Sequence, residues 1–140
     1  MRVKQLLLTV SVSGLFLVLT ACSSSPSGAA SPVPRLPDYA YRSAQATRGY
    51  EIALREKTLL TRLPCYCGCG QDPQYKDLAD CFFEGSGFRS HAANCQVCLD
   101  EAEDAARWKA QGLPTKSIRD RIDSSYKGRG KPTDTPPILD

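Results

Sequence analysis

Three cysteines within five residues, Cys65, Cys67 and Cys69 of Pro64-Cys65-Tyr66-Cys67-Gly68-Cys69-Gly70, constrain this chain more than any other feature. A packed core takes its cysteines singly, as small apolar groups, so thiols separated by one aromatic and one glycine mark a segment shaped by sulfur chemistry. In a straight strand the three side chains would share a face at spacings of about 6.7 Å, too wide for neighbours on one metal ion with bonds to sulfur near 2.3 Å. Pro64 disfavours helical geometry at Leu63, and Gly68 and Gly70 permit positive φ. The expectation is a sharply turning loop on which the thiols converge.

Three more thiols follow, Cys81, Cys95 and Cys98, with the only histidine, His91, four residues before Cys95. A run of C-x-C-x-C, a lone Cys and then H-x-x-x-C-x-x-C is the order in which this sequence resembles bacterial proteins named for a PCYCGC motif. The resemblance covers about residues 38 to 126 and includes Asp80-Cys81-Phe82, His91-Ala92-Ala93-Asn94-Cys95 and Cys98-Leu99-Asp100-Glu101-Ala102. It implies an extracytoplasmic cysteine-rich domain and metal binding, and hands over no reaction. Members of that family often carry a further histidine a few residues before the lone Cys, where this chain has Gln74, Tyr75 and Lys76, a departure that argues against a two-histidine site.

Residues 1–21 read as an export leader, with Arg2 and Lys4 as a basic start and a largely apolar stretch from Leu6 to Leu19. Leu19-Thr20-Ala21-Cys22 resembles the bacterial lipobox, which makes Cys22 the lipidation site and the mature N-terminus. Two or three acyl chains hold a small protein firmly on a bilayer, so the chain is expected to be lipid-anchored on the extracytoplasmic face of the cell membrane. Residues 22–37, rich in Ser, Pro, Gly and Ala, read as a disordered tether, and residues 127–140 as a disordered tail. Without Arg2 and Lys4, sixteen of the 18 basic residues remain against 15 acidic ones, so net charge is near zero and nucleic-acid binding has little support.

Residues 38–126 remain as one domain, small enough that a cross-link or a metal would add needed stability. The fold class expected is mainly α: a small cysteine-rich helical domain with an irregular thiol-bearing loop between Pro64 and Ser90. A first helix is capped at Asp38, interrupted near Gly49, and ends before Pro64. A second runs over residues 91–111, with Gly112 as its stop, Asp100, Glu101, Glu103 and Asp104 facing solvent, and His91, Cys95, Cys98, Ala102, Ala105 and Trp108 facing inward. A third begins at a Thr115 cap and buries Ile118, Ile122 and Tyr126.

Three chemistries suit such thiols. In a metal site, Cys65, Cys67 and Cys69 meet Cys95, Cys98, Cys81 and His91 around a soft or borderline ion, copper first and zinc second, supplied or received by a donor or acceptor protein. Six thiols exceed the need of one zinc ion, which points to a multinuclear cluster, a zinc site plus a disulfide, or transient metal transfer. A disulfide framework is the rival, since exported small domains are commonly oxidised and six cysteines make three bridges. A thiol oxidoreductase using Cys95 and Cys98 fits least, because Cys98 is expected two turns inside its helix with no preceding strand. No nucleophile and base pair supports hydrolysis, and no catalysis is predicted.

Overall fold

The structure is a computed structural model that describes residues 34–139. The expected leader over residues 1–21, the lipidation site Cys22 and residues 23–33 of the tether lie outside the described residues. The domain is mainly helical, as expected: α1 (Ala44–Arg55), α2 (Lys57–Leu60), α3 (Gln96–Ala110) and α4 (Thr115–Tyr126), with short 3-10 turns at Asp38–Tyr41, Cys69–Gln71, Ala79–Cys81 and Ala92–Asn94. A minimal antiparallel hairpin, β1 (Phe83–Glu84) and β2 (Gly87–Phe88), lies inside the connection from α2 to α3. Among the described residues no helix is long and apolar enough to cross a membrane.

The first helical region departs from expectation at both its start and its break. Asp38 opens only a 3-10 turn, and the cap of α1 is Ser43, whose Oγ accepts from the Ala46 amide at 3.0 Å. Gly49 does not interrupt the helix. A Cβ there would stand 2.5 Å from Leu99 Cδ2, so the missing side chain is what lets α1 and α3 approach closely. The break falls instead at Glu56, which lies outside helical geometry (φ −111°, ψ 19°) and joins α1 to α2.

Tyr50, Leu60, Leu63, Leu78, Phe82, Ile118 and Ile122 form the fully buried centre, with the Tyr50 and Phe82 rings edge to face at 5.2 Å. Ile118, Ile122 and Tyr126 make the buried seam of α4 that their spacing predicts, and Gly112 (φ 83°) ends the segment after α3. Thr115 is not a cap: Pro114 holds the cap position of α4 and no side chain satisfies the first amides.

Two further corrections bear on the site. The helix expected over residues 91–111 begins five residues later, at Gln96. Asn94 turns back on Ser90 through its side-chain amide, the Ala92–Asn94 turn closes on His91 and Ala92 carbonyls, and Cys95 is extended. Cys95 therefore takes the N-cap position and Cys98 the third helical residue, in the first turn.

The tail is not a disordered appendage. Residues 129–136 cross the thiol loop as a strap: Thr133 donates its amide to the Cys65 carbonyl (3.0 Å) and accepts from the Cys65 amide on Oγ1 (2.9 Å). Thr135 Oγ1 donates to the Lys76 carbonyl, and the Arg119 guanidinium reaches the carbonyls of Thr135 and Pro136. The order comes from polar pairing, not from apolar burial, so hydrophobic composition carries no sign of it.

Candidate metal centre

The PCYCGC loop starts where α2 stops, and it is held from two sides. Gly68 adopts φ 95°, a left-handed turn that the absence of a Cβ makes inexpensive. Gly70 is glycine for a different reason than expected, since its φ is not positive; a Cβ would fall 1.9 Å from the Pro132 carbonyl oxygen in the strap. From the opposite side, Glu101 Oε1 on α3 accepts the Tyr66 amide at 2.8 Å, and the Tyr66 hydroxyl donates to Asp123 on α4 at 2.9 Å.

The loop, the Ala79–Cys81 turn and the start of α3 bring five of the six predicted thiols and the histidine into one cluster. Cys65 Sγ is 3.6 Å from Cys98 Sγ, Cys69 Sγ is 4.0 Å from Cys81 Sγ, and Cys67 Sγ is 3.5 Å from His91 Nε2. Two sets of four donors have all their atoms within 4.8 Å of one another: Cys65, Cys67, Cys69, Cys81, and Cys67, Cys81, His91, Cys98. Cys65, Cys81 and Cys98 are fully buried; Cys67 and Cys69 are half-buried. Cys95 neighbours Cys67 and Cys98 but belongs to neither set of four. His91 is held by a tilted stack on Tyr75, at 4.9 Å between ring centroids.

All six cysteines of the described residues are free. Their separations are far from the roughly 2.05 Å of a sulfur–sulfur bond. A tetrahedral ion with bonds near 2.3 Å to sulfur and 2.05 Å to nitrogen holds sulfurs about 3.8 Å apart, and a sulfur and a nitrogen about 3.5 Å apart. The three observed contacts span that range.

Charge within the cluster is unevenly placed. Hydrogen bonds from Cys65, Cys69, Cys81 and Cys95 push the Cys67 thiol well below its ordinary pKa, which makes it the thiol of the cluster that most readily gives up its proton. Thiol neighbours, Cys65 foremost, push Cys98 up, and Cys67 pushes Cys95 up. The C-x-x-C pair thus occupies the start of a helix, against expectation, yet its thiols are held protonated, the opposite of what an attacking cysteine needs.

Glu101 is the residue that sequence reasoning misplaced. It does not face solvent; it is completely buried, Oε2 has no hydrogen-bond partner, and burial pushes its pKa up to about 8. A signal was present: Glu101 lies three residues after Cys98 and four before Ala105, inside the buried stripe of α3. For Thr133 and Thr135 no local signal existed.

Fold and site together define a small helical protein organised around a cysteine and histidine cluster. Residues 26–137 match the family described as a protein of unknown function with PCYCGC motif, and the chain belongs to that family. No curated protein and no solved structure matches it.

Proposed function

We propose that this protein binds a thiophilic metal ion, copper(I) or zinc, at the cluster, and that it does so tethered by a lipid on Cys22 to the outer side of the cell membrane. The observation that carries the metal reading is the convergence of unbonded Cys65, Cys67, Cys69, Cys81, Cys98 and His91, drawn from three separate segments, into two overlapping sets of four donors whose atoms all lie within 4.8 Å of one another. A donor set dominated by sulfur selects copper(I) or zinc over magnesium or calcium. The membrane reading is supported by the basic start, the apolar stretch and the Leu19-Thr20-Ala21-Cys22 string.

The chain's part in capture follows from its own groups. Cys67, the thiol that most readily gives up its proton, is the first ligand, and each protonated thiol gives up its proton as its sulfur bonds to the ion, so uptake releases protons. Burial of Cys65, Cys81 and Cys98 shields the bound ion from water, while half-buried Cys67, Cys69 and Cys95 leave a side by which a donor or acceptor protein exchanges it.

Elemental analysis combined with intact mass, on the full chain purified from membranes in detergent without chelator or reductant, tests this directly. Stoichiometric copper or zinc with the six thiols unoxidised is expected. A metal-free chain, lighter by the hydrogens of three disulfides, would make the cysteines a covalent scaffold and overturn the proposal.

A further inference from the structure

The two four-donor sets are not separate sites. They share Cys67 and Cys81, so their union is six donors: two shared sulfurs, Cys65 and Cys69 on one side, His91 and Cys98 on the other. Six is the number that two four-coordinate ions require when they hold two ligands in common. Resting on the metal-binding reading above, we propose that the centre takes two divalent thiophilic ions at once, joined through the sulfurs of Cys67 and Cys81.

Each half carries its own short contact. Cys69 stands 4.0 Å from Cys81 in one set, and His91 Nε2 stands 3.5 Å from Cys67 in the other. The two sets fold toward each other across the shared edge, since Cys65 and Cys98, at corners of different sets, are 3.6 Å apart. One ion placed among Cys65, Cys67, Cys81 and Cys98 would leave Cys69 and His91 without a role, although both aim at the shared sulfurs.

Charge permits the pair. One divalent ion on the all-cysteine set leaves two excess negative charges and one on the set with His91 leaves one, while two such ions on five thiolates and a neutral imidazole also leave only one. The second ion therefore adds no uncompensated charge to a largely buried site. Cys95, outside both sets, is not required by the count.

Anaerobic titration of the reduced full chain in detergent tests the pair, with Zn(II) loading counted by native mass spectrometry and Co(II) as the spectroscopic probe. The expected result is a plateau at two ions per chain, with the electron paramagnetic resonance of high-spin Co(II) growing to one equivalent and falling as the second ion couples to the first through sulfur. Cys69→Ser should reduce the count to one, and Cys67→Ser should weaken both ions at least tenfold. A plateau at one, or above two, overturns the pair while leaving metal binding intact. Two ions whose resonances simply add would overturn the shared sulfurs, in the native chain and without recourse to any variant. Zero equivalents of both Zn(II) and Co(II) overturns the pair and the zinc form of the metal-binding reading; a parallel titration with Cu(I) that also gives zero overturns metal binding altogether.

Discussion

Replacing Glu101 with Gln tests whether a buried acid lies against the thiol loop. Glu101 is wholly enclosed, accepts the Tyr66 amide on Oε1, and leaves Oε2 unpartnered. In the unfolded chain a glutamate loses its proton near 4.5, whereas in the folded domain burial raises that point to about 8. The folded state therefore holds the proton more tightly. Stability from this group is fully present below pH 4.5 and is lost as pH rises through about 8. At about 1.36 kcal/mol per pH unit over roughly 3.5 units, the loss is about 5 kcal/mol. Glutamine has nearly the shape of the protonated acid and keeps an oxygen for Tyr66, but it does not titrate. Urea unfolding of the reduced, metal-free domain at intervals from pH 4 to pH 9 should show Glu101→Gln gaining on the native chain by about this amount toward the alkaline end. Groups that titrate alike in both proteins cancel in the difference; Cys67, whose charge raises the pKa of Glu101, does not, and its coupling is part of the difference measured. Stability curves that run parallel within about 1 kcal/mol across that range would refute the reasoning, because a solvated Glu101 would behave that way.

Two substitutions probe the strap. Gly70→Ala places a Cβ 1.9 Å from the Pro132 carbonyl and 2.9 Å from the Thr133 amide, so the strap must lift, at a cost of about 1 to 3 kcal/mol; limited proteolysis should then cut within residues 127–139 faster than in the native chain. Thr133→Val keeps the side-chain shape but leaves the buried Cys65 amide without its acceptor, and denaturant unfolding should show a loss of about 1 to 3 kcal/mol.

Much of the helical frame is legible in the sequence because it depends on periodicity within one segment. Ile118, Ile122 and Tyr126 read directly as the buried face of α4, and Gly112 as a stop. The cysteine spacing likewise indicates that loop and helix thiols meet. What the sequence conceals are effects set by partners far along the chain. Gly49 looks like a helix breaker until Leu99 is seen against it. Glu101 looks like one more acid on a charged face, and only the Tyr66 amide explains its burial. Residues 127–139 have the composition of a free tail, yet Thr133 pairs with Cys65, 68 residues earlier. Hydrophobicity cannot report that pairing, since it is made by amides, hydroxyls and carbonyls.

A polypeptide leaves the ribosome, or a translocation pore, N-terminus first. Every donor of the cluster, from Cys65 to Cys98, is therefore free of that machinery before Thr133 and Thr135 arrive to tie down the backbone of the PCYCGC loop. For that interval Cys65, Cys67 and Cys69 sit on an unclasped loop, open to incoming ions and to oxidants alike. The strap is thus the last part of the site to become available to the fold, and until it docks the thiols can meet either reagent.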